Sequence, residues 1–233
     1  MKNLILFLKI FIFTNIAFSQ NNQSIEVKYL AILEPFDKEM IEKTNNSLFE
    51  KINNSLLDKK YRLIVMKNGF SFRQEDQNML LDENQKLIAN LVDAAFSIQE
   101  FYYDKENNLL FSPFNNINVI IEHNYDWILS NDSKLINNFL CYKSTCEVNY
   151  LNKYGKISVK KITAWYAPEI NYNYGPNGYM GLPGMILEVE VDKTKLVAIE
   201  ILFLKDAKKI EFPKFKTISE KELIKKTEQD FKQ

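Results

Sequence analysis

Residues 164–191 read AWYAPEINYNYGPNGYMGLPGMILEVEV, and the fold turns on how this stretch is read. It holds Gly175, Gly178, Gly181 and Gly184, four of the chain's six glycines, and Pro168, Pro176 and Pro183, three of its six prolines. Ala164-Trp165-Tyr166 enters as an apolar strand, and Pro168 fixes φ and ends it. Gly175-Pro176 and Pro183-Gly184 are turn formers, the second pair suited to a type II turn. Met185, Leu187, Val189 and Val191 then alternate with Glu188 and Glu190, the period-two pattern of a strand with one buried face. Trp165, Tyr166, Tyr172, Tyr174 and Tyr179 put aromatic surface between these turns. A folded loop of this kind is either a clasp that closes a core or a lip around a binding site. Gly175, Pro176, Gly181, Leu182, Pro183 and Gly184 are its architecture.

Reading outward, Asp192–Thr194 turn the chain and Leu196–Leu204 return as a long strand. Leu196-Val197 and Ile201–Leu204 are apolar on both faces, which predicts a covered central position. A polar link follows Pro213, and Ser219 with Glu222 forms a capping box that starts a final helix. Upstream, Ile157–Tyr166, Asn138–Tyr150 and Asp126–Ser130 read as strands, with Asn131-Asp132-Ser133 as a turn. Ile117–His123, Asn108–Phe111 and Glu100–Asp104 follow the same pattern, separated by turns at Pro113–Asn116 and Lys105-Glu106-Asn107. Tyr61–Met66 and Phe70–Arg73 flank an Asn68-Gly69 hairpin turn. Ser24–Leu33 is the first strand, with Ile25, Val27, Tyr29 and Ala31 on one face.

Helical spacing of Met40, Ile41, Leu48, Phe49, Ile52 and Leu56 predicts a helix from Asp37 to about Leu57, an insertion near residues 35–60. A shorter helix fits Leu87–Phe96. The sum is an α+β fold, mainly antiparallel β: one curved sheet or half-barrel of about ten strands with two or three helices.

The chain starts with Lys2 and an apolar run from Leu4 to Phe18, closed by Ala17-Phe18-Ser19. This pattern predicts a signal peptide over residues 1–19 and an exported domain over 20–233, periplasmic or extracellular. No cysteine stands at the cleavage point, so the expected product is soluble. The formal net charge is +0, which offers no basic face for nucleic acid.

An oxidising compartment permits a disulfide between Cys141 and Cys146. The competing reading is two unpaired thiols. With one histidine, His123, and no further cysteine, a metal site is not expected. Phosphate-loop, dinucleotide and nucleophile-elbow signatures are absent, so no cofactor is expected. The carboxylates to weigh are Asp126, Glu169, Glu188 and Glu190, because glycosidases need only two. Alternation places Glu188 and Glu190 on a solvent face.

Gly181-Leu182-Pro183-Gly184-Met185-Ile186-Leu187-Glu188 resembles the signature of the GLPGLI family, a group of exported bacterial envelope proteins. Met185 stands where the family has its second leucine. Ala164-Trp165-Tyr166, Pro168-Glu169-Ile170, Gly175-Pro176, Asp126-Trp127 and Cys141 fit the same resemblance, which covers 126–191. The family implies a compartment and a fold but no activity. By looser analogy it is similar to periplasmic lipoprotein carriers, in which an antiparallel half-barrel holds acyl chains under a helical lid. The expected function is that of a non-enzymatic envelope protein binding a lipid or other apolar ligand, or a protein partner. The alternatives are a carboxylate-dependent hydrolase of glycan or peptide and a structural component of an outer-membrane complex.

Overall fold

The computed structural model describes residues 24–33, 59–75, 83, 98–122, 124–151, 157–192, 194–205, 209–223 and 225. They form a twelve-stranded open sheet. In chain order the strands are β1 Ser24–Leu33, β2 Lys60–Met66, β3 Gly69–Gln74, β4 Phe101–Asp104, β5 Leu109–Phe114 and β6 Ile117–Ile120. They continue as β7 Ile128–Ile136, β8 Phe139–Leu151, β9 Ile157–Ala167, β10 Met185–Val191, β11 Thr194–Leu204 and β12 Lys216–Ser219. The spatial order is β12-β6-β5-β4-β3-β2-β1-β11-β10-β9-β8-β7. All neighbours are antiparallel except β12 with β6. The first strand therefore sits mid-sheet, paired to β2 on one side and to β11 on the other.

That central pairing follows from side-chain pattern. Ile25, Val27, Tyr29 and Ala31 are fully buried, as are Leu63 and Val65 of β2 and Phe70 and Phe72 of β3. Each such side chain contributes about 1.5–3 kcal/mol on leaving water. Alternate residues carry charge on the opposite face, where cross-strand pairs form: Lys28 with Glu200 at 2.7 Å and Arg62 with Glu26 at 3.8 Å.

The sheet has two more strands than about ten, and among the described residues the helices are fewer than expected. The extra strand at one edge is β12, formed by the segment expected to be a polar link; Ile218, buried, anchors it beside Val119. The capping box holds: the Ser219 amide donates to Glu222 Oε2 at 2.8 Å, and the Glu222 amide to Ser219 Oγ at 3.3 Å. The helices expected over 37–57 and 87–96, like the signal peptide and His123, lie outside the described residues.

Two turns move. Asn131-Asp132-Ser133 lies inside β7, where the register against β8 shifts between Leu129 and Ser133. The hairpin instead closes at Asn137-Asn138, whose φ values of 48° and 66° are those of a two-residue primed turn, in which asparagine is at home. Asn115-Asn116, at 47° and 60°, closes β5–β6 the same way and leaves Pro113 inside β5. Lys67-Asn68 makes the β2–β3 turn, so Gly69 begins β3.

Candidate functional site

The segment from Pro168 to Gly184 leaves β9, crosses one face of the sheet and comes back into β10. Its own backbone holds it: Gly181 N–H donates to the Asn173 carbonyl at 2.8 Å, and Tyr174 bridges Met180. Two bonds tie it to β10, Met185 N–H to the Ile170 carbonyl at 3.0 Å and Ile186 N–H to the Tyr174 carbonyl at 2.9 Å. At its base Gly184 takes φ +156°, and a β-carbon there would run into the Ala167 carbonyl and Pro168. Only glycine accepts that position. Tyr29 reaches across from β1 and donates its hydroxyl to the Ile186 carbonyl at 2.6 Å. Trp127 Nε1 donates to the Met180 carbonyl at 2.9 Å, and Tyr125 packs between Trp127 and Tyr179.

The tip reaches the other half of the sheet. The Tyr174 ring lies 5.1 Å from Phe70 and 5.5 Å from Tyr103, and burial pushes its hydroxyl up to about 12. Gly178, at φ +78°, sits against the Phe101 ring, where a β-carbon would approach to 2.8 Å. Gln99 N–H donates to Asn177 Oδ1 at 3.2 Å. The segment is a strap that fastens β10 to β3 and β4 over three intervening strands.

Two of the residues expected as a contact surface turn inward. Tyr166 and Tyr174 are buried, and Ile170 and Leu182 of the strap are buried with them. Tyr172 and Tyr179 are half-buried. Trp165 looks to the opposite face, where the Lys134 ammonium stands 4.3 Å from its ring centre. Of the residues expected as architecture, Gly175, Pro176, Leu182 and Gly184 are buried, while Gly181 and Pro183 are exposed.

Cys141 and Cys146 are free buried thiols, so the disulfide is not formed. Both lie in β8 with regular pairing to β7 or β9. Five extended residues separate their α-carbons by roughly 16 Å, against the roughly 4–7 Å a disulfide spans. Burial pushes both thiols up to about 11, which leaves them protonated and unreactive at neutral pH.

Asp126 and Glu169 are exposed, and Glu188 is buried. Glu188 thus departs from the solvent-facing reading, because the β7–β8 hairpin covers it. Lys134 Nζ lies 2.7 Å from Glu188 Oε2, and Asn137 Nδ2 donates to the Ala198 carbonyl at 2.7 Å. Among the described residues no group of three or more His, Cys, Asp or Glu could hold a metal. The sequence reads this hairpin as two strands about Asn131-Asp132-Ser133, and it is the turn that is misplaced. Its inward side carries Lys134, its other side carries Leu129, Leu135 and Leu140, and these three and Ile128 are exposed, Ile128 and Leu135 by 71% and 70%.

No curated protein matches the chain. Among solved structures it is similar to one described as "Structure of PNGF-II in P21 space group", with a TM-score of 0.49 and 13% identity over 87% of this chain. The chain spans 32% of that protein's length. Residues 152–188, which run from the approach to β9 through the strap to Glu188, match the family described as "Protein of unknown function (Porph_ging)", and this bears out the GLPGLI-type resemblance.

Proposed function

We propose that this chain is a non-enzymatic exported envelope protein that binds a protein partner through its β7–β8 hairpin. The sheet in this reading is curled into a half-barrel. From β10 to β4 a flat sheet would span roughly 24 Å at about 4.8 Å per strand. The strap has only the few residues between Tyr174 and Gly178 to bridge that gap, so curling brings the two ends within its reach.

The observation that carries the proposal is where apolar surface is covered and where it is not. On the strap face, the place an acyl chain would take in a carrier is taken by Tyr174, Met180 and Leu182, all buried against the sheet. On the hairpin, Ile128, Leu129, Leu135 and Leu140 are left in water. Leu129, Leu135 and Leu140 share one side of the hairpin, and exposed apolar groups of this kind mark interaction surfaces. A protein partner in the envelope fits that surface better than a lipid held inside the sheet. The hydrolase alternative has no observation in its favour, since Asp126 and Glu169 are exposed and Glu188 is engaged by Lys134.

A photo-crosslinking amino acid placed at Leu135 or Leu140 in the native host tests this. Discrete protein adducts are expected there and none from an exposed control position, Lys161 on β9. Absence of adducts, together with acyl lipids released from the purified protein on extraction, would overturn the proposal in favour of a carrier.

A further inference from the structure

The two edges of the sheet are built differently. β12 is four residues long, has exposed Lys214 and Lys216 beside it, and runs straight into a helix. Short edges flanked by lysine resist pairing with another strand. β7 is nine residues long, and among the described residues no strand pairs with its outer side. The three charges between residues 128 and 143 are all matched within the chain. Asp132 lies 3.7 Å from Lys143, and Lys134 lies 2.7 Å from Glu188. What the edge offers is unpaired backbone flanked by leucine, with no free charge to repel an identical strand.

Resting on the hairpin as the docking surface, we infer that its occupant is the β7 strand of a second copy of this chain, paired antiparallel about a twofold axis. Parity and the placement of the leucines together choose the register. Leu129 lies opposite Ser144 and Leu135 opposite Leu140, so Leu129, Leu135 and Leu140 share one side of the hairpin. Opposed residues in an antiparallel pair share a face, so a symmetric pair can centre on a residue but not between two. Centring on Asp132 sets Leu129 against Leu135 of the partner subunit, and does so twice. Leu140 extends each pair into a row of three leucines. The irregularity between Leu129 and Ser133 falls on the axis, so the contact is two short ladders rather than one long one. An interface of that size belongs to the weak, transient class. The two Asp132 carboxylates that meet near the axis bring their Lys143 partners with them.

Sedimentation equilibrium on the purified protein, over a range of concentration, tests this. A reversible monomer–dimer equilibrium is expected, and Leu135→Lys should weaken it by about tenfold or more. Under mild oxidation Asp132→Cys should give a covalent dimer, while Ser130→Cys, whose opposite residue is Lys134 of the partner subunit, should not. A protein that stays monomeric at all concentrations, or an Asp132→Cys variant that does not crosslink, overturns the second copy as occupant. If the crosslinker at Leu135 still captures a discrete protein from the host, the docking reading survives that failure. If it captures none, both fall.

Discussion

β4 and β7 belong to one sheet, yet they live in different surroundings. Phe101, Tyr102 and Tyr103 of β4 are all buried, although consecutive strand residues point to opposite faces. The strap covers one face through Tyr174 and Gly178. The segment after Lys209 covers the other: Ile210 packs on Tyr102 and Phe111, and Phe212 lies 6.0 Å from the Phe111 ring. Two asparagines fix that second cover. Asn68 exchanges two hydrogen bonds with the Ile210 backbone, at 3.1 and 2.9 Å, and Asn118 donates to the Pro213 carbonyl at 2.9 Å. Among the described residues β7 has one neighbouring strand, and its surface is mostly exposed. The molecule therefore spends its irregular segments on closing one half of the sheet and leaves the far edge open. Stability should reside in the first region and recognition in the second.

The largest expected effect comes from attacking the strap where it cannot yield. Gly184→Val puts a branched side chain at φ +156° against the Ala167 carbonyl. Strain and collision together should cost about 4 kcal/mol or more. The expected outcome is loss of soluble protein or of a cooperative thermal transition. A soluble variant that melts normally would show that the strap does not hold the sheet.

Tyr174→Ala should come next. It removes the ring lodged between Phe70 and Tyr103, and truncating a buried aromatic costs about 3–5 kcal/mol. Chemical denaturation reads this directly. A loss under 1 kcal/mol would mean that β3 and β4 do not depend on the tip.

The sequence made the strap legible and misplaced the turn of the hairpin, for physical reasons. Glycine and proline act through their own backbones, so Gly184 and Pro168 announce a corner whatever surrounds them. Ile25, Val27, Tyr29 and Ala31 likewise state a buried face by alternation alone. The inward turn of Tyr166 and Tyr174 could not be read that way, because tyrosine suits a core and a surface equally well. Glu188 obeys alternation and still is buried, since its cover arrives from Lys134, far away in the chain. The Asn137-Asn138 doublet was the available signal for the hairpin, and the polar Asn131-Asp132-Ser133 triplet masked it.

The buried thiols give a smaller, pH-dependent effect. Burial raises Cys141 and Cys146 from 9.0 to about 11 in the folded chain, so between those values the unfolded state releases protons that the folded state keeps. Stability from this source is full below about pH 9 and falls as pH rises to about 11. Tyrosines such as Tyr174 titrate nearby, so the contrast must be internal. Melting temperature measured from pH 8 to 11 should drop more steeply for the native chain than for the Cys141→Ala, Cys146→Ala double variant. Parallel curves would show that the thiols are wet.

The smallest effect on stability is expected where recognition is placed. Leu135→Lys and Leu140→Lys alter side chains that already face water, and substitutions at such positions usually stay within about 0.5 kcal/mol. Their denaturation midpoints should match the native chain, while adduct formation at the hairpin is lost. The inward neighbour is the control. Lys134→Met breaks the bond to Glu188 and leaves a buried carboxylate without its cation. That should cost about 1–2 kcal/mol, the solvent around Lys134 reducing the full value for a buried pair. One residue apart on the same strand, position 134 should then report on folding and position 135 on binding. If Leu135→Lys destabilises as much as Lys134→Met, the hairpin is packed against something on both sides, and the division between a closed half and an open edge is lost.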